Sequence, residues 1–237
     1  MRTFLLVHGA WHGAWCWAAV RDRLEAAGHR VETPILSGLG EKADLLRPGI
    51  TLNDWVDEVA RLMSDKALTD VIVVGHSFAG SVVSGLAEAV PGRIDRLVYL
   101  DAMVLEGGEA PFDTMDPAIV EGRRAAAEAF SGGLTLPKPP AAALGVLEPE
   151  AAAFVEAHMT PHPFSTFVEP LALDRAPGEG FDCTYVAVTE PEYAPLVTSR
   201  VRAKAYGWDY REMRTGHDMM ITMPDETAEL LLALAES

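Results

Sequence analysis

Val71-Ile72-Val73-Val74-Gly75-His76-Ser77-Phe78-Ala79-Gly80 runs from four β-branched residues through Gly-x-Ser-x-Ala-Gly, a form of the Gly-x-Ser-x-Gly pattern with alanine at 79, into a stretch of helical character. Consecutive β-branched side chains suit a strand buried on both faces, as in a parallel sheet covered by helices. Gly75, two positions before Ser77, and Gly80, three after it, let neighbouring backbone pass without a Cβ clash. A sharp strand-to-helix turn at this point lifts the Ser77 hydroxyl out of the sheet's C-terminal edge. The N-terminus of the following helix favours negative charge developing there. A glycine-flanked serine also occurs in plain tight turns. The flanking strand and helix are what point to a nucleophile.

Outward from this stretch, short apolar runs alternate with longer helical patterns, the signature of an α/β fold. Strands are expected at 3–7, 30–33, 71–74, 94–100, 184–188 and 208–213, giving a mostly parallel sheet of six strands flanked by helices. Helices are expected near 16–27, 52–66, 78–90, 195–206 and 225–236. For the last of these, Thr222 and Asp225 fit a capping box and Pro224 suits the first turn. Residues 105–180 break the alternation. They hold no convincing strand but do hold alanine-rich helical pieces at Ile119–Phe130 and Glu148–His158, with the stiff linker Pro137-Lys138-Pro139-Pro140 between them. The expected division is a core of 1–104 and 181–237 interrupted by a helical lid of 105–180.

Acyl transfer needs backbone N–H donors aimed at an oxyanion as well as a nucleophile. The loop His8-Gly9-Ala10-Trp11-His12-Gly13 after the first strand can offer the Ala10 amide, and Phe78 offers the amide after the serine. His8 and His12 are spaced like metal ligands but lie in a glycine turn without a zincin glutamate, so no metal is expected. Of seven histidines, position selects His217, in Arg214-Thr215-Gly216-His217-Asp218, between the final strand and the final helix. That loop opens above the same sheet edge as Ser77, and a histidine there can take and return the serine proton. His158 and His162 fall in the insertion, where lining or structural roles are expected. Trp11, Phe78, Met103 and Met219 flank these positions with apolar surface and are the expected substrate-binding wall. Trp15 and Trp17 are expected in pocket or core.

The bulk properties narrow the setting. The 237 residues carry 49% apolar and 23% charged side chains, as a globular chain with one large core would. A formal charge of −16 disfavours nucleic acid and anionic membranes as partners. No apolar run is long enough to span a bilayer. Two distant cysteines, Cys16 and Cys183, make no disulfide framework, so a cytoplasmic location is expected.

His-Gly-Ala-Trp-His-Gly-Ala-Trp-Cys-Trp at 8–17, Gly-His-Ser-Phe-Ala-Gly at 75–80 and the histidine loop resemble the plant methylesterase and hydroxynitrile lyase group and its bacterial esterase relatives. Met159-Thr160-Pro161-His162-Pro163 and Glu169-Pro170-Leu171 extend the likeness into the insertion. The resemblance implies an α/β-hydrolase fold, no cofactor, and an enclosed apolar pocket for a small-molecule ester. The lyases of that group carry a threonine where this chain has Ala10 and a cyanide-stabilising lysine where it has Asp218, so ester hydrolysis is the expected chemistry.

The group's acid follows the next-to-last sheet strand, but there this chain reads Thr189-Glu190-Pro191-Glu192, with proline in the aspartate slot. Glu190 or Glu192 could serve. Asp101 is the other candidate and the preferred one. It closes the strand beyond the nucleophile, as the acid does in some haloalkane dehalogenases, and a carboxylate there needs a partner. The expectation is a serine esterase acting on methyl or aryl esters through Ser77, His217 and Asp101. The competing classes are a binding protein that keeps the hydrolase shell and a lyase or cyclase on the same fold. An apolar rim on the lid is compatible with a homodimer, which nothing in the sequence specifies.

Overall fold

Side chains alternate across a strand, so strands that are apolar at every position must be covered on both faces. The computed structural model describes residues 1–236. Among them the strands are β1 (Thr3–Val7), β2 (Arg30–Glu32), β3 (Val71–His76), β4 (Ile94–Leu100), β5 (Thr135–Leu136), β6 (His162–Pro163), β7 (Asp182–Val188) and β8 (Asp209–Met213). Six of these form one sheet in the order β2-β1-β3-β4-β7-β8, with every neighbour parallel. The helices are α1 (Ala18–Ala26), α2 (Leu52–Asp65), α3 (Ala79–Ala89), α4 (Pro117–Ser131), α5 (Pro149–His158), α6 (Ser165–Val168), α7 (Val197–Ala205), α8 (Met219–Thr222) and α9 (Pro224–Glu236).

Leu5, Val7, Val73, Tyr99 and Tyr185 point to one face, into a core shared with α2, α3, α7 and the segment between β4 and β7. Phe4, Leu6, Val74, Leu100 and Val186 point to the other, against Trp17, Val20 and Leu24 near α1 and Leu231 and Leu234 of α9. No helix among the described residues is long and apolar enough to cross a membrane.

Three local expectations change. The insertion does contain strands, since β5 and β6 pair antiparallel. They are two residues each, too short for a periodic signal. The helix expected from residue 16 begins as a tighter 3₁₀ turn at Ala14–Trp17 before α1. The capping box expected for α9 is absent. Thr222 ends the separate short helix α8, where its hydroxyl donates back to the Asp218 carbonyl at 3.2 Å. A true capping box opens α2, where Thr51 and Asp54 exchange hydrogen bonds of 2.9 and 3.0 Å.

Register positions the site. Gly75 pairs with Tyr99, His76 with Leu100, and Leu100 with Val186. Ser77 and Asp101 therefore leave adjacent strands at the same C-terminal edge. Gly80 is needed for the turn to close, because a Cβ there would lie 2.1 Å from the Met103 carbonyl oxygen.

Candidate active site

Ser77 sits in the left-handed region at φ 56°, and so do Trp11 at 65° and Asp101 at 39°. Non-glycine residues hold such angles only when surrounding structure enforces them, and they gather at functional sites. Here the Ser77 amide donates to the Leu100 carbonyl at 3.2 Å, and its carbonyl accepts from Met103 at 2.8 Å. Gly9 brings the first loop against the serine so closely that a Cβ would meet Ser77 Cβ at 2.8 Å. The Ala10 and Phe78 amides make no hydrogen bond with any described residue, which leaves both as open donors.

His217 Nε2 lies 2.8 Å from Ser77 Oγ, and His217 Nδ1 lies 2.7 Å from Asp101 Oδ2. A carboxylate only accepts, so Nδ1 carries the proton and Nε2 is free to accept one from serine. The other oxygen of Asp101 receives Arg200 of α7, through Nε at 3.2 Å and Nη2 at 2.9 Å. Arg200 is only 6% exposed, and buried charges of this kind require a partner. Glu190 and Glu192 are elsewhere. Glu190 pairs with Arg214 at 2.7 Å on the surface, and the Glu192 side chain is 68% exposed, 4.0 Å from Arg200. The chain carries them outward past the end of β7, away from His217.

Behind His217 lies a second histidine–carboxylate pair. His12 Nδ1 is 2.7 Å from the Ala10 carbonyl, and its Nε2 is 3.0 Å from Asp218 Oδ2. Both partners are pure acceptors, so both ring nitrogens carry protons and His12 is an imidazolium. Burial alone would lower His12, but the charge and hydrogen bond of Asp218 outweigh it and hold the imidazole above its ordinary value. Burial would likewise raise Asp218, and His12 overrides that to hold it low. Neighbouring histidines are neutral. His8 donates from Nδ1 to the Gly9 carbonyl and accepts the Leu36 amide, and burial pushes it down to about 4. His76 donates to the His217 carbonyl at 2.9 Å and is pushed by burial to about 3. His76, His217 and Asp218 bring donor atoms within 4.8 Å of one another. An ion there would compete with the bonds His217 already makes to Ser77 and Asp101.

The pair's pH dependence follows from the two directions. The His12 contribution to stability is full below its ordinary value near 6.5 and is lost as pH rises through the raised folded value. The Asp218 contribution is present above 3.8 and is lost as pH falls through the lowered folded value. Asp218→Asn should cost about 3–5 kcal/mol just below the ordinary histidine range, since it leaves a buried imidazolium without its counter-charge. That deficit should shrink as pH rises through the His12 transition. Parallel thermal melts of both proteins check it, and a deficit that stays level or grows with pH would sink the imidazolium assignment.

Trp11, Phe78 and Met103 belong to one buried core, together with Phe167 and Trp55. Met219 does not. It packs on the opposite face of the sheet with Cys16 and Trp17, because it begins α8 and turns away from the serine. One residue beside the base escaped the sequence reading. Tyr193 stacks on the His217 ring at 3.8 Å and 17°. His162, expected in a lining or structural role, stands among Trp11, Trp55, Phe78 and Phe167, with ring centroids 5.0–5.9 Å away. Tyr193 carries no local signal, since it meets His217 only through the fold. The segment between β4 and β7 grips both loops of the site. Thr160 donates to the Trp11 carbonyl at 2.9 Å, and Asp218 donates to the Leu144 carbonyl at 3.1 Å.

A serine at a strained strand-to-helix turn, bonded to a late-loop histidine over a parallel sheet, defines a class of protein. The chain belongs to the alpha/beta hydrolase family, which it matches over residues 4–230. It is 35% identical over 246 residues to a carbendazim hydrolyzing esterase of Nocardioides sp. (strain SG-4G), covering 99% of this chain and 100% of that one. Methylesterase 7 of Arabidopsis thaliana is 35% identical over 112 residues, 46% of this chain and 43% of that one. Among solved structures, an extracellular alpha/beta-hydrolase from a Paenibacillus species is similar at a TM-score of 0.87 and 25% identity, over 98% of each chain. That protein is described as sharing structural and functional homology with tobacco salicylic acid binding protein 2.

Proposed function

We propose that the chain is a serine carboxylesterase for small methyl or aryl esters, with Ser77 as nucleophile, His217 as general base and acid, and Asp101 as the orienting carboxylate. The carrying observation is the hydrogen-bond chain Ser77–His217–Asp101, at 2.8 and 2.7 Å, beside two open amides. The esterase class itself rests on the full-length relative and the methylesterases.

Ser77 Oγ attacks the ester carbonyl while His217 Nε2 takes its proton. The Ala10 and Phe78 amides hold the oxyanion, a contribution of about 3–4 kcal/mol for one such donor. Collapse expels the alcohol, which His217 protonates. Water, deprotonated in turn by His217, then attacks the acyl-enzyme and releases the acid. Asp101 stabilises the imidazolium in both halves, and Arg200 holds the carboxylate's far oxygen so that the near one faces the ring.

In this reading residues 105–180 are a cap over a core of 1–104 and 181–237. Ser77 is 7% exposed and His217 2%, so substrate reaches them only when cap segments shift. Cys16 and Cys183 are buried and free, which supports a reducing, cytoplasmic setting. Asp218 disfavours the lyase alternative. A buried carboxylate stands where a lyase of the resembling group uses a cation for departing cyanide.

The test is covalent. A fluorophosphonate should add once per chain, at Ser77 by peptide mass, with parallel loss of p-nitrophenyl acetate hydrolysis. Hydrolysis that survives complete labelling, or label placed on another residue, would overturn the reading.

A further inference from the structure

Arg123 of α4 crosses the wall of the site without a carboxylate. Its guanidinium carbon lies 5.6 Å from the Trp11 ring centroid and 5.3 Å from that of Phe167. Nη1 reaches only the Met115 sulfur at 3.3 Å, and Nη2 reaches the Tyr193 hydroxyl at a long 3.4 Å. No acidic side chain among the described residues pairs with it. Yet acidic residues outnumber Lys and Arg in this chain by 35 to 19. Beside it, the buried Trp11 Nε1 has no acceptor among the described residues. A guanidinium offers five N–H donors in a planar fork, and here two are engaged, both weakly. This wall is therefore rich in donors and poor in acceptors.

Tyr193 relates that fork to the chemistry. Its ring face lies on His217 and its hydroxyl points to Arg123. Arg123 thus stands about one aryl ring away from the base. Resting on the ester-hydrolase reading above, we propose that Arg123 and Trp11 Nε1 form an anion subsite, and that the substrates are flat esters bearing a carboxylate across the ring from the scissile ester. The guanidinium takes that carboxylate as a fork, while Trp11 and Phe167 line the ring's path. The rival role is a latch, in which the cation only pins α4 to the two aromatic faces.

The two roles separate on a matched pair of substrates, monomethyl terephthalate and neutral methyl 4-methylbenzoate. The wild type should prefer the anionic ester roughly 10- to 100-fold in kcat/KM, the range of a charge-assisted hydrogen bond. Arg123→Gln should bring that ratio close to one. Arg123→Lys, which keeps the charge and loses the fork, should fall between, and it gives a second reading if the glutamine variant folds poorly. A wild-type ratio near one, or a ratio that Arg123→Gln leaves unchanged, overturns the subsite and favours the latch. If the wild type cleaves neither ester, the esterase reading is what has failed. Calorimetric binding of monomethyl terephthalate then decides the subsite. Binding lost in Arg123→Gln supports it, and binding that is equal in both proteins or absent from the wild type overturns it.

Discussion

Ser77→Ala should lower kcat/KM for short p-nitrophenyl esters by roughly 10⁵- to 10⁶-fold, the scale seen when a triad nucleophile is removed. The effect is large because no other hydroxyl can take over. Ser81 and Ser84 are buried within α3, and Ser84 is bonded to the Gly80 carbonyl and to Tyr99. Alanine suits the site sterically, so the variant should fold and bind substrate with the wall intact. The two open amides remain, and a residual rate of roughly 10³- to 10⁴-fold over water would persist through them. The burst of p-nitrophenol that marks an acyl-enzyme should vanish with the serine. Activity within about tenfold of wild type would remove Ser77 from the mechanism.

Asp101→Asn should lower kcat by roughly 10⁴-fold, because the amide NH₂ can turn to Nδ1 and force the proton onto Nε2, where it faces serine uselessly. The substitution should also reduce the melting temperature. Arg200 would be left 6% exposed beside a neutral amide, and breaking a buried pair costs about 3–5 kcal/mol. The two effects part company in Arg200→Met, which leaves Asp101 facing His217 and should lower stability far more than it lowers kcat. Glu190→Gln and Glu192→Gln are the controls. Both side chains are exposed, and surface changes of this kind stay within about 0.5 kcal/mol. A large loss of kcat in either, with Asp101→Asn active, would move the acid to the end of β7.

Much of the fold was legible because the deciding interactions are local. Val71–Val74 read as a buried strand from β-branching alone, and all six sheet strands fall within two residues of the expected bounds. Gly75-x-Ser77-x-Ala79-Gly80 was legible for the same reason, since its turn is set by residues that touch across a few bonds. β5 and β6 were not, because two residues cannot show a period. The α9 cap misread has a similar cause. Thr222 and Asp225 have the right spacing, but a separate helical turn ending at Thr222 had already engaged the hydroxyl.

The site divides along the same line. Ser77 and His217 announce themselves by position in the alternation of strands and helices, and that order is a property of the chain. Choosing among Asp101, Glu190 and Glu192 required knowing which carboxylate the sheet register brings beside the His217 ring. Asp101 and His217 are 116 residues apart, Arg200 and Asp101 99, and His12 and Asp218 206. Nothing near any of these residues names its partner. Met219 shows the same limit, for two positions from His217 it already faces the opposite core. Strand, turn and helix follow from sterics and hydrophobic period, which act between near neighbours. Ion pairs and ring contacts depend on side-chain direction to within an ångström, and only the packed sheet and its covering helices set that.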